Sequence, residues 1–286
     1  MKATKKLLAI AAVITVIAAC SAPKETTTEM KVPTLTMKWE TDTVLTTCES
    51  VLYDKANDVL YVANIAGKPD SVDGNGFISK VSLDGKVTEA QWVKGLNAPK
   101  GMGIANGKLY VADITNVVEI DPSNGSITNT YAVDDAQFLN DITTDDSGRV
   151  FVSDSNTGAV SIVENGKVAT FLAGQHGPNG LLSDGDTFLV ALWADKTLNT
   201  VSNGQVVVKA DSIENPDGIE ALGDGGYLVS SWNGKVTYVS PDGRTREILN
   251  TSADGVSAAD IEYIADKKLL LVPTFFKNKV VAYELN

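Results

Sequence analysis

The chain carries one histidine, His176, and two cysteines, Cys20 and Cys48. Zinc and most transition-metal centres draw on clustered imidazoles and thiolates, so composition excludes such a centre. Basic residues are also short, with 24 Lys and Arg against 36 Asp and Glu and a net charge of −12. Phosphate recognition needs clustered Lys and Arg, so no nucleic-acid partner is expected. Long amphipathic helical patterns are missing, which disfavours alternating α/β folds. The long apolar run near the start, "LLAIAAVITVIAA" at Leu7–Ala19, is too short to span a bilayer comfortably.

That run follows Lys2, Lys5 and Lys6 and reads as the apolar part of a secretory leader. It ends in "IAAC", Ile17–Cys20, which resembles a bacterial lipobox, whose cysteine is lipidated and becomes the mature N-terminus. We therefore expect a leader over 1–19, a flexible tether over 20–33 headed by lipidated Cys20, and one domain over 34–286. The expected product is an exported bacterial lipoprotein, facing the periplasm or the cell surface. Its only membrane contact would be the Cys20 lipid. Ser21, a residue other than Asp, favours the outer membrane if the organism is Gram-negative. Loss of the three leader lysines deepens the charge from −12 to −15. Such a surface repels nucleic acid but not a cation. Cys48 is then the sole thiol and cannot form an internal disulfide, so a buried, inert cysteine is expected.

Six related runs recur along the rest of the chain. "LYVAN" begins at Leu60, "LYVAD" at Leu109, "VFVSD" at Val150, "FLVAL" at Phe188, "YLVSS" at Tyr227 and "LLLVP" at Leu269. Each is short and rich in β-branched or aromatic residues, as a buried strand should be. A second strand follows each run and often ends in Asp-Gly or Asn-Gly, as in "ENGK" and "PDGR", which suit tight hairpins. Further short strands flank these pairs. Four antiparallel strands recurring about every 40 residues describe a β-propeller blade. The expected fold is all-β: a six-bladed β-propeller with four antiparallel strands per blade. The last unit stops one strand short, and "LTMKWETDTVL" at Leu35–Leu45 has no unit of its own. We expect it to complete blade six as the outer strand and cover an edge open to aggregation. A monomer is expected.

The innermost strand of a propeller blade lines the central channel. Ahead of the six runs lie Glu49, Lys100, Asn140, Asn179, Asp217 and Asp260 at similar offsets. Such residues start strands poorly and are costly to bury without partners. Six in register suggest a polar well on the axis, either a cation site or a hydrated channel. Carboxylate and amide oxygens are the hard donors that Ca²⁺ prefers, although another divalent cation would also be served.

These residues resemble the gluconolactonase/regucalcin (senescence marker protein) family of six-bladed propellers. The motifs that carry the likeness are "LND" at 139–141, "PNG" at 178–180 and "PDG" at 216–218. "CESV" at 48–51 stands where the family usually has Glu-Gly-Pro. The resemblance implies that Glu49, Asn179 and Asp217 are metal ligands and that Asn140 approaches the metal or the substrate. It also implies a Ca²⁺-dependent hydrolase acting on a small-molecule lactone or ester. The family's sugar-lactone enzymes carry an arginine where this chain has Phe138, which hints at a more apolar substrate. Trp193, Phe275 and Phe276 are candidates for pocket walls, or else core.

Roles for the remaining residues stay open. A general base could be Asp217, Asp260 or His176, the last on the loop "GQHGPNG". His176 could equally be a solvated turn residue. Asp260 could instead pair with Lys100. Lys100 could bind an anionic group of the substrate or only balance charge. The whole could also be a non-catalytic ligand- or partner-binding propeller with a structural metal, because propellers host both roles. A quinone-type oxidoreductase is disfavoured, since its axis should be rich in basic and histidine residues.

Overall fold

A computed structural model describes residues 30–286. The leader, Cys20 and the tether before Met30 lie outside the described residues. Among the described residues, six four-stranded antiparallel sheets form the blades of a propeller, as the repeats predict. Blade one runs through Cys48–Asp54, Val59–Asn64, Gly76–Val81 and Val87–Leu96, and the next four blades repeat this order. No described helix is long and apolar enough to cross a membrane.

The recurrent runs are the second strand of each blade. Val150–Asp154 and Tyr227–Ser231 are buried at every position. They read as nearly continuous apolar segments because both faces pack against neighbouring blades. In Lys108–Asp113, Leu109 and Val111 join Tyr61 and Ala63 of blade one. The alternate residues Tyr110 and Ala112 join Ile142 and Val150 of blade three. The interfaces of blade two with blades one and three are thus separate apolar layers.

Two hairpins use the Asn-Gly pairs as expected. Asn165 and Gly166 have φ of 50° and 74°, and Asn203 and Gly204 have the same values. Both residues therefore sit in the left-handed region, as a two-residue turn that follows strand twist requires. In "PDGR" only Gly243 has positive φ, so that turn is longer and tolerates an ordinary aspartate.

The outermost strand of blade six is Leu35–Glu40, paired antiparallel with Val280–Leu285 from the C-terminus. The ring is therefore closed by both ends of the domain. Lys38 bridges Glu284 at 3.0 Å, and Lys279 bonds Glu40 across the same seam. The strand is shorter than the Leu35–Leu45 expected. Thr41 exchanges hydrogen bonds with Val280, after which the chain turns inward and buries Leu45 in the core with Cys48 and Val51. Leu45 is apolar because it is core, not strand.

Candidate functional site

Glu49, Lys100, Asn140, Asn179 and Asp217 are each the second residue of an innermost strand, in blades one to five. All are buried, and all line one cavity of about 370 Å³ at a mouth of the channel. The backbone can converge there because a small residue follows in all but blade three: Ser50, Gly101, Gly180 and Gly218. A Cβ at Gly180 would overlap the carbonyl oxygen of Asp217 on the next blade, so Asn179 is followed by glycine for want of room. The acidic ends of the second strands hold the approaching segments. Asp113 accepts from the amides of Asn97 and Ala98, and Asp154 from those of Gln137 and Phe138.

Blade six departs from the expected ring. Asp260 does not line this cavity. Its amide donates to the Glu49 carbonyl, and its Oδ2 accepts from Ser50 Oγ at 2.7 Å. A Cβ at Gly218 would meet Asp260 just as one at Gly101 would meet Asp141, so Asp260 lies one residue deeper, level with Asp141. The residue level with Glu49 is then Ala259, buried and apolar. Blade six adds no polar atom to the ring, and Lys100 donates to Ala98 O at 3.1 Å rather than pairing with Asp260.

His176 also lies outside the cavity. Its side chain is 71% exposed, and Nδ1 sits 3.0 Å from Asp195 Oδ1. The loop turns this ring outward, while Asn179 three residues on faces the axis.

Partner supply is uneven within the ring. Asn140 Nδ2 donates to Ser155 Oγ at 3.1 Å, which donates in turn to Pro178 O at 2.9 Å. Asn179 Nδ2 faces Pro216 O at 3.4 Å. These contacts orient both amides. Glu49 Oε2 and Asn179 Oδ1 are left buried without any hydrogen-bond partner. Orphaned buried oxygens are costly and rare in folded proteins. Burial, together with repulsion from Asp217 and Asp260, pushes the Glu49 carboxyl well above its ordinary range, with Lys100 offsetting in part. Burial and Asp260 raise Asp217 in the same way. Burial lowers Lys100, with Glu49 opposing.

Two orphaned oxygens beside a second carboxylate suit a hard cation. Among the described residues no three His, Cys, Asp or Glu side chains converge to hold a metal by themselves. The ring would have to complete its set with amide oxygens of Asn140 and Asn179, donors acceptable to Ca²⁺ and poor for zinc.

The walls are apolar. Ile65, Trp193 and Trp232 each follow the second strand of their blade, and Phe275 and Phe276 follow that of blade six. Trp232 lies edge-on to Phe275 and Phe276 at 5.6 and 6.1 Å, and Phe138 lies 4.3 Å from Lys100 Nζ. Trp232 was not among the sequence candidates. The residue just after each recurrent run was the signal that would have found it.

The same chain segment matches a family model. Residues 47–259 fit the model described as "SMP-30/Gluconolactonase/LRE-like region". The chain belongs to this family. No curated protein matches it. Among solved structures, a gluconolactonase from Xanthomonas campestris aligns at 16% identity and a TM-score of 0.64, over 85% of this chain and 87% of that one. Another structure assigned as a gluconolactonase gives 14% and 0.68, over 89% and 92%. Virginiamycin B lyase from Staphylococcus aureus gives 14% and 0.62, over 89% and 100%. At these identities the likeness shows the shared fold. The mouth lined by Glu49, Asn140, Asn179 and Asp217 lies within the segment that matches the family.

The opposite end of the channel holds a second cavity of about 290 Å³. Asp141, Glu220, Asp260 and Glu262 line it, and sequence reasoning singled out only Asp260 of these. Asp141 is well served, accepting from Leu181 N at 2.6 Å and Ile142 N at 2.7 Å. Burial pushes Asp260 up to about 7, and burial with Asp260 nearby pushes Glu262 to about 8.

Proposed function

We propose that this protein hydrolyses lactones or related esters at the ring mouth, with Ca²⁺ as the resident cation. The observation that carries this reading is the pair of orphaned oxygens, Glu49 Oε2 and Asn179 Oδ1, on the floor of an apolar-walled cavity. Family membership supports the reaction class. Glu49, Asn179 and Asp217 would hold the cation, with Asn140 beside them. A cation bound there would polarise a substrate carbonyl and stabilise charge developing on its oxygen.

The chain's own residues supply the rest. Trp193, Trp232 and Phe275 enclose the substrate and exclude water from the floor. Asn140, fixed by Ser155, orients what sits above the ring. Of the three candidate bases, Asp217 alone lines the cavity, so a proton leaving an attacking water would pass to a carboxylate oxygen of Asp217.

Calorimetry tests the site. Cation-stripped protein should bind Ca²⁺, and Asp217→Asn and Glu49→Gln should each weaken binding by at least about tenfold, the scale of one lost charged ligand. Equal binding in all three would sink the assignment. Chelator-sensitive turnover of a lactone panel supports the enzyme. Binding without turnover on any lactone or aryl ester would favour the non-catalytic propeller.

The lipoprotein reading rests on the leader sequence. Cys20→Ala should move the protein from the detergent phase to the aqueous phase on extraction. An unchanged distribution would refute it.

A further inference from the structure

We propose that the ligand at the ring mouth carries an apolar chain or ring beside its carbonyl, and is not polyhydroxylated. The inference rests on the hydrolase reading for its reaction and on the cavity walls for its ligand class.

Much of the polar capacity above the ring is already engaged. Ser155 Oγ both accepts from Asn140 and donates to Pro178 O. Lys100 Nζ donates to Ala98 O and lies over the Phe138 ring. Asn179 directs its amide nitrogen at Pro216 O. No arginine and no histidine lines the cavity. Apart from the cation's own ligands, a substrate is left the remaining N–H donors of Lys100, the Asn156 side chain and two indole N–H groups.

Every other wall residue offers carbon. Ile65, Pro69 and Phe138 stand on the side of blades one to three, and Trp193, Trp232, Phe275 and Phe276 on the side of blades four to six. Phe276 is 64% exposed at the rim although it is aromatic. A buried sugar hydroxyl facing these groups would lose its water and gain no partner. An alkyl or aryl group of the same size would bury area against aromatic faces at no such cost.

The test pairs a lipophilic lactone with a sugar lactone of the same ring size, δ-decanolactone and gluconolactone. Each is accompanied by its lactam, which binds without ready hydrolysis. Turnover reads the reaction, and quenching of Trp193 and Trp232 fluorescence by the lactams reads the ligand class. We expect kcat/KM for δ-decanolactone to exceed that for gluconolactone by at least about 100-fold, since a five-carbon chain buries several methylenes. The decanolactam should quench at lower concentration by a similar ratio. Phe276→Ala, a rim substitution that leaves the core alone, should weaken decanolactam binding about threefold to tenfold and leave gluconolactam unchanged. Preferential decanolactam binding without turnover of either lactone would uphold the ligand class and overturn the hydrolase reading. Gluconolactam binding as tightly as decanolactam, or no binding of decanolactam, would overturn the inference even if lactones are hydrolysed.

Discussion

The second cavity, at the lower end of the channel if the ring mouth is taken as the upper, predicts a pH dependence of stability opposite in sign to that of a salt-bridged carboxylate. Burial raises Asp260 from 3.8 to about 7, and burial with Asp260 nearby raises Glu262 from 4.5 to about 8. Unfolded, both lose their protons near their ordinary values. Folded, both keep them to near neutrality or above. Between those limits the folded state binds more protons than the unfolded state, so stability falls as pH rises. A rise of three units corresponds to about 4 kcal/mol at about 1.36 kcal/mol per unit. Coupled buried carboxyls do not titrate independently, so the pair is expected to cost at least one such shift, of order 4 kcal/mol. For a domain of this size that is a fall in Tm of roughly 8–16 °C.

Carboxyls with the opposite shift do not mask the effect. Asp84 and Asp242 are held below their ordinary value by the Ser82 and Ser240 hydroxyls, so what they contribute is complete above their unfolded pKa and lost only in acid. Between pH 5 and 8 they are flat. The assay is urea unfolding of chelator-treated protein at steps across that window, with Glu262→Gln alongside. At pH 8 Glu262→Gln should be the more stable chain by roughly 1–3 kcal/mol, part of the pair's cost, and at pH 5 the two should agree within about 0.5 kcal/mol. Wild-type stability that is flat or rising from pH 5 to 8, or an unchanged slope in Glu262→Gln, would refute the reasoning.

Gly180→Ala should destabilise the domain by at least about 1–3 kcal/mol, since its Cβ would overlap the Asp217 carbonyl on the neighbouring blade, and it should weaken Ca²⁺ binding too; thermal and calorimetric titrations read both. Cys48 is fully buried, with its thiol pushed by burial to about 11, so it should ignore an aromatic disulfide reagent until denaturant is added. His176→Ala should leave kcat/KM and Ca²⁺ affinity within about twofold of wild type, as for an exposed surface substitution. A chain beginning at Thr41 lacks the strand that covers blade six, and light scattering should show it associating where the full domain does not.

The fold was legible because a propeller writes itself six times. In a run such as Leu109–Asp113 both faces are buried by neighbouring blades, so Leu109 to Ala112 are aliphatic or aromatic, and that requirement recurs at each blade. Closure was legible from an unpaired strand at one end and a missing one at the other. What failed was counting. Hairpin lengths vary between blades, so the offset from the recurrent run ranges over a few residues and admits both Ala259 and Asp260. The polar one reads as the ring member, whereas interblade contacts with Ser50 and Gly218 put it one residue deeper. The apolar wall was only half legible. Trp193 and Trp232 hold the same position in successive blades, yet a tryptophan after a buried strand looks like core until the channel mouth is seen.

The two ends of the channel hold the same chemical groups with different fates, and partner supply decides between them. At the lower end Asp141 accepts two backbone amides and Asp260 accepts a serine hydroxyl. Buried carboxyls with partners and no counter-charge relieve their repulsion by keeping protons. At the upper end Glu49 Oε2 and Asn179 Oδ1 have no partner, and an amide oxygen cannot take up a proton near neutral pH to relieve itself. A donor or a cation arriving from outside would satisfy it. Gluconolactonases and a lyase share this propeller fold, so the fold does not fix the reaction. In this chain it is the unsatisfied oxygen of Asn179, whose amide N–H faces the Pro216 carbonyl, that favours the upper mouth over the lower one as the proposed site.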